Sequence, residues 1–231
     1  MRNTVSRLWL HEGGLTVLLA SLVLIVFVLR PLVDLGMAGG RLIELALASV
    51  LLSGVWTIWG GKLRMIIVGL GIFVVELLRG LYWSGVAVWL APWAMLGSAI
   101  MIGMLLMLVL TRVFSPGPVT RQRIEGAVAA YLLFGLAWAQ LYEAVEVLAP
   151  GAFGLPKGEI PVGGWFSPLL YFSFVTLTTV GYGDIQPIHP VARSLAMFEA
   201  LMGQLYPAVL IGRLVSLRGT ADQQSDEEGL A

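Results

Sequence analysis

The chain has 231 residues, 58% of them hydrophobic and 12% charged, with a mean hydropathy of +0.88; so much apolar surface cannot be hidden in one water-soluble core. Its 14 basic and 14 acidic residues cancel, which leaves no basic surface for nucleic acid and points to no polyanionic partner. The absence of cysteine excludes disulfides and thiolate metal sites, and His11 and His189 are too far apart in sequence to suggest a metal centre.

The first apolar run, Gly14 to Val33, follows Arg2 and Arg7. Its length and the equally strong runs behind it mark a retained membrane span rather than a cleaved leader. Further spans are expected at Leu42–Trp59, Leu63–Leu78, Val86–Leu110, Ile124–Leu148 and Val191–Leu217, each near the roughly 20 residues that a bilayer core requires. Between the last two lies a shorter apolar segment, Pro168–Thr179, which suits a re-entrant helix buried in protein. The fold class is therefore all-α and polytopic: six transmembrane helices plus a re-entrant helix and its loop. With the N-terminus inside, nine Lys and Arg residues near span ends are cytoplasmic against five outside, so both termini are expected in the cytoplasm.

The order of segments gives a cytoplasmic N-terminal stretch 1–13, a four-helix membrane unit 14–110, a linker 111–123 around Ser115-Pro116-Gly117-Pro118, a two-helix unit 124–217 and a short acidic tail 218–231. The tail, with Asp222 to Glu228, reads as disordered, and nothing after the sixth span is expected to fold as a ligand-binding domain.

After the re-entrant segment stands Thr178-Thr179-Val180-Gly181-Tyr182-Gly183-Asp184. A potassium ion sheds its water only where oxygens replace it on all sides, and a backbone supplies a ladder of carbonyls when successive residues turn them the same way. Such a ladder needs residues that accept positive φ, which Gly181 and Gly183 do without steric cost. Val180 and Tyr182 interleave with them, and Thr179 adds a hydroxyl below the column. Each chain gives one oxygen per level, so four copies around an axis, a homotetramer, are required.

This stretch resembles the signature of the potassium channel superfamily, and the resemblance covers the chain from about Ile124 onward. It implies K+ as permeant ion at Thr179, Val180, Gly181 and Tyr182, with Gly183 completing the filter, and no cofactor. Ser167 as N-cap and Pro168 as first helical residue would start the pore helix, whose C-terminal dipole end favours a cation. By resemblance, Asp184 bonds behind the filter to a pore-helix aromatic, here Tyr171. Some bacterial relatives carry glutamate where this chain has Val175, so their inactivation behaviour does not carry over.

Gly203 stands nineteen residues after Asp184, the place of a hinge glycine in many relatives. Pro207 lacks the N–H that would meet the Gly203 carbonyl, so both fall on one turn as a gating hinge; close helix packing at Gly203 and a static kink at Pro207 are the alternative. Glu199, inside the sixth span, needs a partner or water; it is expected to brace the filter through Ser173 or Thr178, the other reading being a cavity charge. The four-helix unit resembles a voltage sensor in layout, but Val86–Leu110 contains no basic residue for the field to move. Glu44 and Glu76 lack arginine partners, and Arg41 and Arg79 snorkel at span ends.

The expected function is passive K+ conduction by a homotetramer in the lipid bilayer of the plasma membrane, without a conventional voltage sensor. A potassium transporter component and a nonconducting partner subunit are the competing readings. The single complete filter motif argues against the first, and only the acidic tail speaks for the second. No constellation of nucleophile, base and orienting group suggests an enzyme.

Overall fold

The computed structural model describes residues 14–37, 62–83, 88–115, 120–155 and 165–229. The N-terminal stretch, the second expected span with Arg41 and Glu44, the Pro116–Pro118 centre of the linker and the side chains of Glu76 and Arg79 lie outside the described residues.

Helix α1, Gly14–Asp34, is a continuous Leu/Val-rich rod with one π turn at Ile25–Leu29. It stops where Gly36 takes φ +73° and the N–H groups of Gly36 and Met37 cap the carbonyls of Val33 and Leu32. Helix α2 is Lys62–Trp83 and covers the third expected span. After a 3₁₀ turn at Val88–Leu90, α3 runs Ala91–Val113, with proline in its first turn and Arg112 in its last, both favourable at those ends. Helix α4 is Arg121–Leu148, α5 Phe166–Leu177 and α6 Pro190–Gly229. Four of these, α1, α3, α4 and α6, are long and apolar enough to cross a membrane. At about 1.5 Å per residue, the 12-residue α5 reaches only about 18 Å, short of the ~30 Å hydrocarbon core.

Two expectations shift. Helix α5 begins at Phe166, before Pro168, and Ser167 is not its N-cap; the Ser167 hydroxyl instead donates to the Asp34 carboxylate at the end of α1. The acidic stretch Asp222–Glu228 is helical, since propagating an existing helix needs no new nucleus and the segment carries no proline. Two-residue strands β1, Phe153–Gly154, and β2, Gln186–Pro187, pair antiparallel, with Phe153 packed beside Leu169 and Phe172 of α5, and were not foreseen.

Helix α4 is the centre of the molecule, packing against α1, α3, α5 and α6. The main core takes Leu18 and Leu22 from α1, Leu105 and Val109 from α3, Leu133 and Leu136 from α4, Phe166 and Leu170 from α5 and Tyr206 from α6. It thus runs across the 111–123 linker without a break. Gly135 lets α5 approach closely, for a Cβ there would lie 2.7 Å from the Phe174 ring. On the outside of α5, Arg30 stacks 5.0 Å from the Phe166 ring and Phe27 lies 6.3 Å from Phe174. At the opposite end, Arg213 Nη2 donates to the Phe114 carbonyl at 2.6 Å, tying α6 to the end of α3.

Candidate ion filter and its support

The end of α5 is a Schellman motif. The Thr179 N–H reaches the Thr176 carbonyl at 2.9 Å and the Val180 N–H reaches the Val175 carbonyl at 2.9 Å, while Thr179 has φ +59°. Glycine normally fills that left-handed position, and a β-branched residue there costs on the order of 1–3 kcal/mol. Gly181 at φ +59° and Gly183 at φ +76° repeat the sign at every second residue. Left-handed residues that alternate with ordinary ones let successive carbonyls face one way, as the sequence argument for an oxygen ladder requires. The glycines were legible as positive-φ positions; Thr179 was not.

Residues 178–184 are all exposed in the single chain, with Val180 at 52% and Tyr182 at 71%. Behind them, the Tyr171 phenol donates to Asp184 Oδ2 at 2.7 Å, Asp184 Oδ1 accepts from the Ile185 N–H at 2.9 Å, and Gln186 Nε2 donates to the Gly183 carbonyl at 3.0 Å. Thr178 turns away from Glu199: its hydroxyl donates to the Phe174 carbonyl at 2.6 Å. Tyr171→Phe removes the hydrogen bond that the phenol donates to the Asp184 carboxylate. It should lower the thermal midpoint by a few degrees and shorten open times in single-channel records, with Tyr171→Trp milder on both.

Glu199 is fully buried, at 0% exposure. Its Oε2 accepts from the Tyr142 phenol at 2.5 Å, and its Oε1 lies 2.5 Å from Ser173 Oγ, which is also 2.9 Å from the Gly135 carbonyl. A serine hydroxyl has one proton. Ser173 is the donor to both, its one proton shared between Glu199 Oε1 and the Gly135 carbonyl, and the cluster Tyr142, Glu199, Ser173, Gly135 joins α4, α5 and α6. Around it Tyr142 sits edge-on to Phe153 at 5.3 Å and to Phe172 at 5.2 Å. Tyr142 was missed from sequence; an aromatic in the fifth span carries no local sign that it meets a residue 57 positions away.

Helix α6 is unbroken through Gly203 and Pro207. Gly203 lies against the end of α5, where an added Cβ would stand 1.9 Å from the Leu177 carbonyl oxygen. That carbonyl accepts from the Tyr131 phenol at 3.1 Å, and one turn on, the Tyr206 phenol donates to the Ala127 carbonyl at 2.9 Å. The structure therefore brings together Tyr171 with Asp184, Ser173 with Glu199, and Gly203 with the foot of the 178–184 segment.

A short apolar helix ending in a run of alternating-handed residues stands between two helices long and apolar enough to cross a membrane, and the family described as ion channel matches residues 128–217. The chain belongs to the potassium channel superfamily. It is a multi-pass membrane channel protein rather than an enzyme. It is 32% identical over 123 residues to Protein LctB of Bacillus caldotenax, covering 51% of this chain and 89% of that one. It is 35% identical over 77 residues to the inward rectifier potassium channel Kirbac3.1 of Paramagnetospirillum magnetotacticum, covering 33% of this chain and 22% of that one. With the two pore potassium channel c of Oryza sativa subsp. japonica it shares 35% identity over 85 residues, 36% of this chain and 18% of that one. No solved structure matches significantly.

Proposed function

We propose that the chain is one subunit of a homotetrameric channel that conducts K+ selectively and passively. The observation that carries this is the repeat of positive φ at Thr179, Gly181 and Gly183 on a segment wholly exposed in one chain. Exposed Val180 and Tyr182 at the end of a buried re-entrant helix need cover, and three further copies around a common axis supply it. The carbonyls of 179–182 and the Thr179 hydroxyl then replace the hydration shell, and Asp184, Tyr171 and Glu199 hold the segment from behind.

The subunit has six spans with both termini cytoplasmic, in the plasma membrane. The fourth span carries no basic residue before Arg112, so voltage does not gate it through moving arginines. Bending of α6 at Pro207, where the Gly203 carbonyl has no proline N–H to meet, moves the cytoplasmic half of the helix while Gly203 keeps its seat on α5.

Cross-linking of the purified protein should stop at four subunits, and Gly181→Asp should abolish K+ uptake into liposomes. A carboxylated side chain at φ +59° both strains the backbone and blocks the axis. A monomer or dimer that conducts, or Gly181→Asp flux equal to wild type, contradicts the proposal.

A further inference from the structure

We infer that Gln204 is a positioning residue for the innermost ion site, its side-chain amide restricting the Thr179 hydroxyl so that an oxygen lone pair faces the conduction axis. The inference rests on reading 179–183 as the ion filter.

Gln204 Nε2 donates to Thr179 Oγ1 at 2.9 Å across 25 residues of sequence. Both residues are exposed in the single chain. The contact is built from two directions. Gly203, the preceding residue, has no side chain to hold α6 away from Leu177, and an added Cβ would stand 1.9 Å from that carbonyl. The same carbonyl is held from α4 by the Tyr131 phenol at 3.1 Å, so the foot of the filter cannot drift from Gln204.

The residue at 179 is itself the second sign. It occupies the left-handed C′ position of α5 at φ +59°, where glycine is the unstrained choice. A β-branched residue persists there only where its side chain is required and its surroundings hold it. Threonine offers one proton and two lone pairs on a hydroxyl that rotates freely when nothing holds it. A proton turned to the axis repels a cation; a lone pair attracts it. With the Gln204 N–H seated on one lone pair, the proton is excluded from that direction, and of the two settings left the ion favours the one that turns the second lone pair to the axis. Gln204 need not touch the ion to do this.

The probe is Ba2+, a divalent cation of nearly the size of K+, titrated calorimetrically into the purified tetramer in K+-free medium. The set is wild type, Gln204→Met, Gln204→Leu, Thr179→Ala and each double variant. A neutral hydrogen bond is worth about fivefold in an equilibrium constant, and four copies act on one site. We expect both Gln204 variants to bind Ba2+ at least about fivefold more weakly than wild type. In the Thr179→Ala background the same changes should have no further effect, because the group they position is gone. A merely structural Gln204 would lower affinity equally in both backgrounds, and that result overturns the inference. So does unchanged affinity in Gln204→Met and Gln204→Leu. If wild type itself binds no Ba2+, the filter reading falls and takes this inference with it, which is a different result from unchanged affinity in a channel that binds.

Discussion

Glu199→Ala should destabilise the channel by about 3–5 kcal/mol and abolish its ion preference, whereas Glu199→Gln should fold and conduct much as wild type does. The alanine removes the acceptor of the buried Tyr142 phenol and the partner of Ser173 in one step, and leaves a cavity between α4, α5 and α6. Glutamine reproduces each contact: its amide N–H donates to Ser173, its carbonyl accepts from Tyr142, and Ser173 still donates to Gly135. If the side chain were needed as a carboxylate, glutamine would present an N–H to one of two donors and lose about 1.5–3 kcal/mol. Thermal unfolding in detergent together with bi-ionic reversal potentials decides between them. Equal damage from alanine and glutamine would show that charge, not hydrogen-bond order, is what this position supplies.

Gly203→Ala should be the most disruptive methyl that can be added to the inner helix. The new Cβ meets the Leu177 carbonyl at 1.9 Å, and the obstacle is backbone at the foot of the filter rather than a flexible side-chain tip. Either α6 moves outward, which breaks the Gln204 bond to Thr179, or α5 moves up, which breaks the Tyr131 bond to Leu177 as well. Overpacking of this kind costs typically about 1–3 kcal/mol, and more where backbone has to yield. We expect loss of tetramer yield and weakened K+ preference in whatever assembles. A variant with normal selectivity and altered open probability alone would return Gly203 to the part of a pure hinge. Pro207→Ala offers the contrast, since it restores a hydrogen bond to the Gly203 carbonyl without touching α5, and should shift open probability only.

The backbone of the 178–184 segment was legible because its information is local: seven consecutive residues carry the motif, and Gly181 and Gly183 take the positive φ expected of them. The partnership of Tyr171 with Asp184 followed from the resemblance, and that of Glu199 with Ser173 from helical position and the cost of a carboxylate in a membrane. The misses have physical reasons. Ser167 before Pro168 has the composition of a helix cap, yet its hydroxyl serves Asp34, which is 133 residues away in sequence. Thr179 escaped because β-branched residues seldom take positive φ, so only the backbone itself reveals it. Gln204 did carry a signal, an amide in the apolar stretch of an inner helix, but its partner depends on how closely Gly203 seats α6 on α5. The placing of α1 against the outside of α5, through Arg30, Asp34 and Phe27, left no mark in the periodicity of either segment.

The claim on which the rest depends is that residues 179–183 select potassium. The direct measurement is the reversal potential of the purified channel in planar bilayers with K+ on one side and Na+ on the other at equal concentration. A K+-selective filter gives a potential displaced far toward the K+ equilibrium value, corresponding to a preference on the order of 100-fold or more. A reversal potential near zero, with wild-type protein and stable single-channel openings, would contradict it.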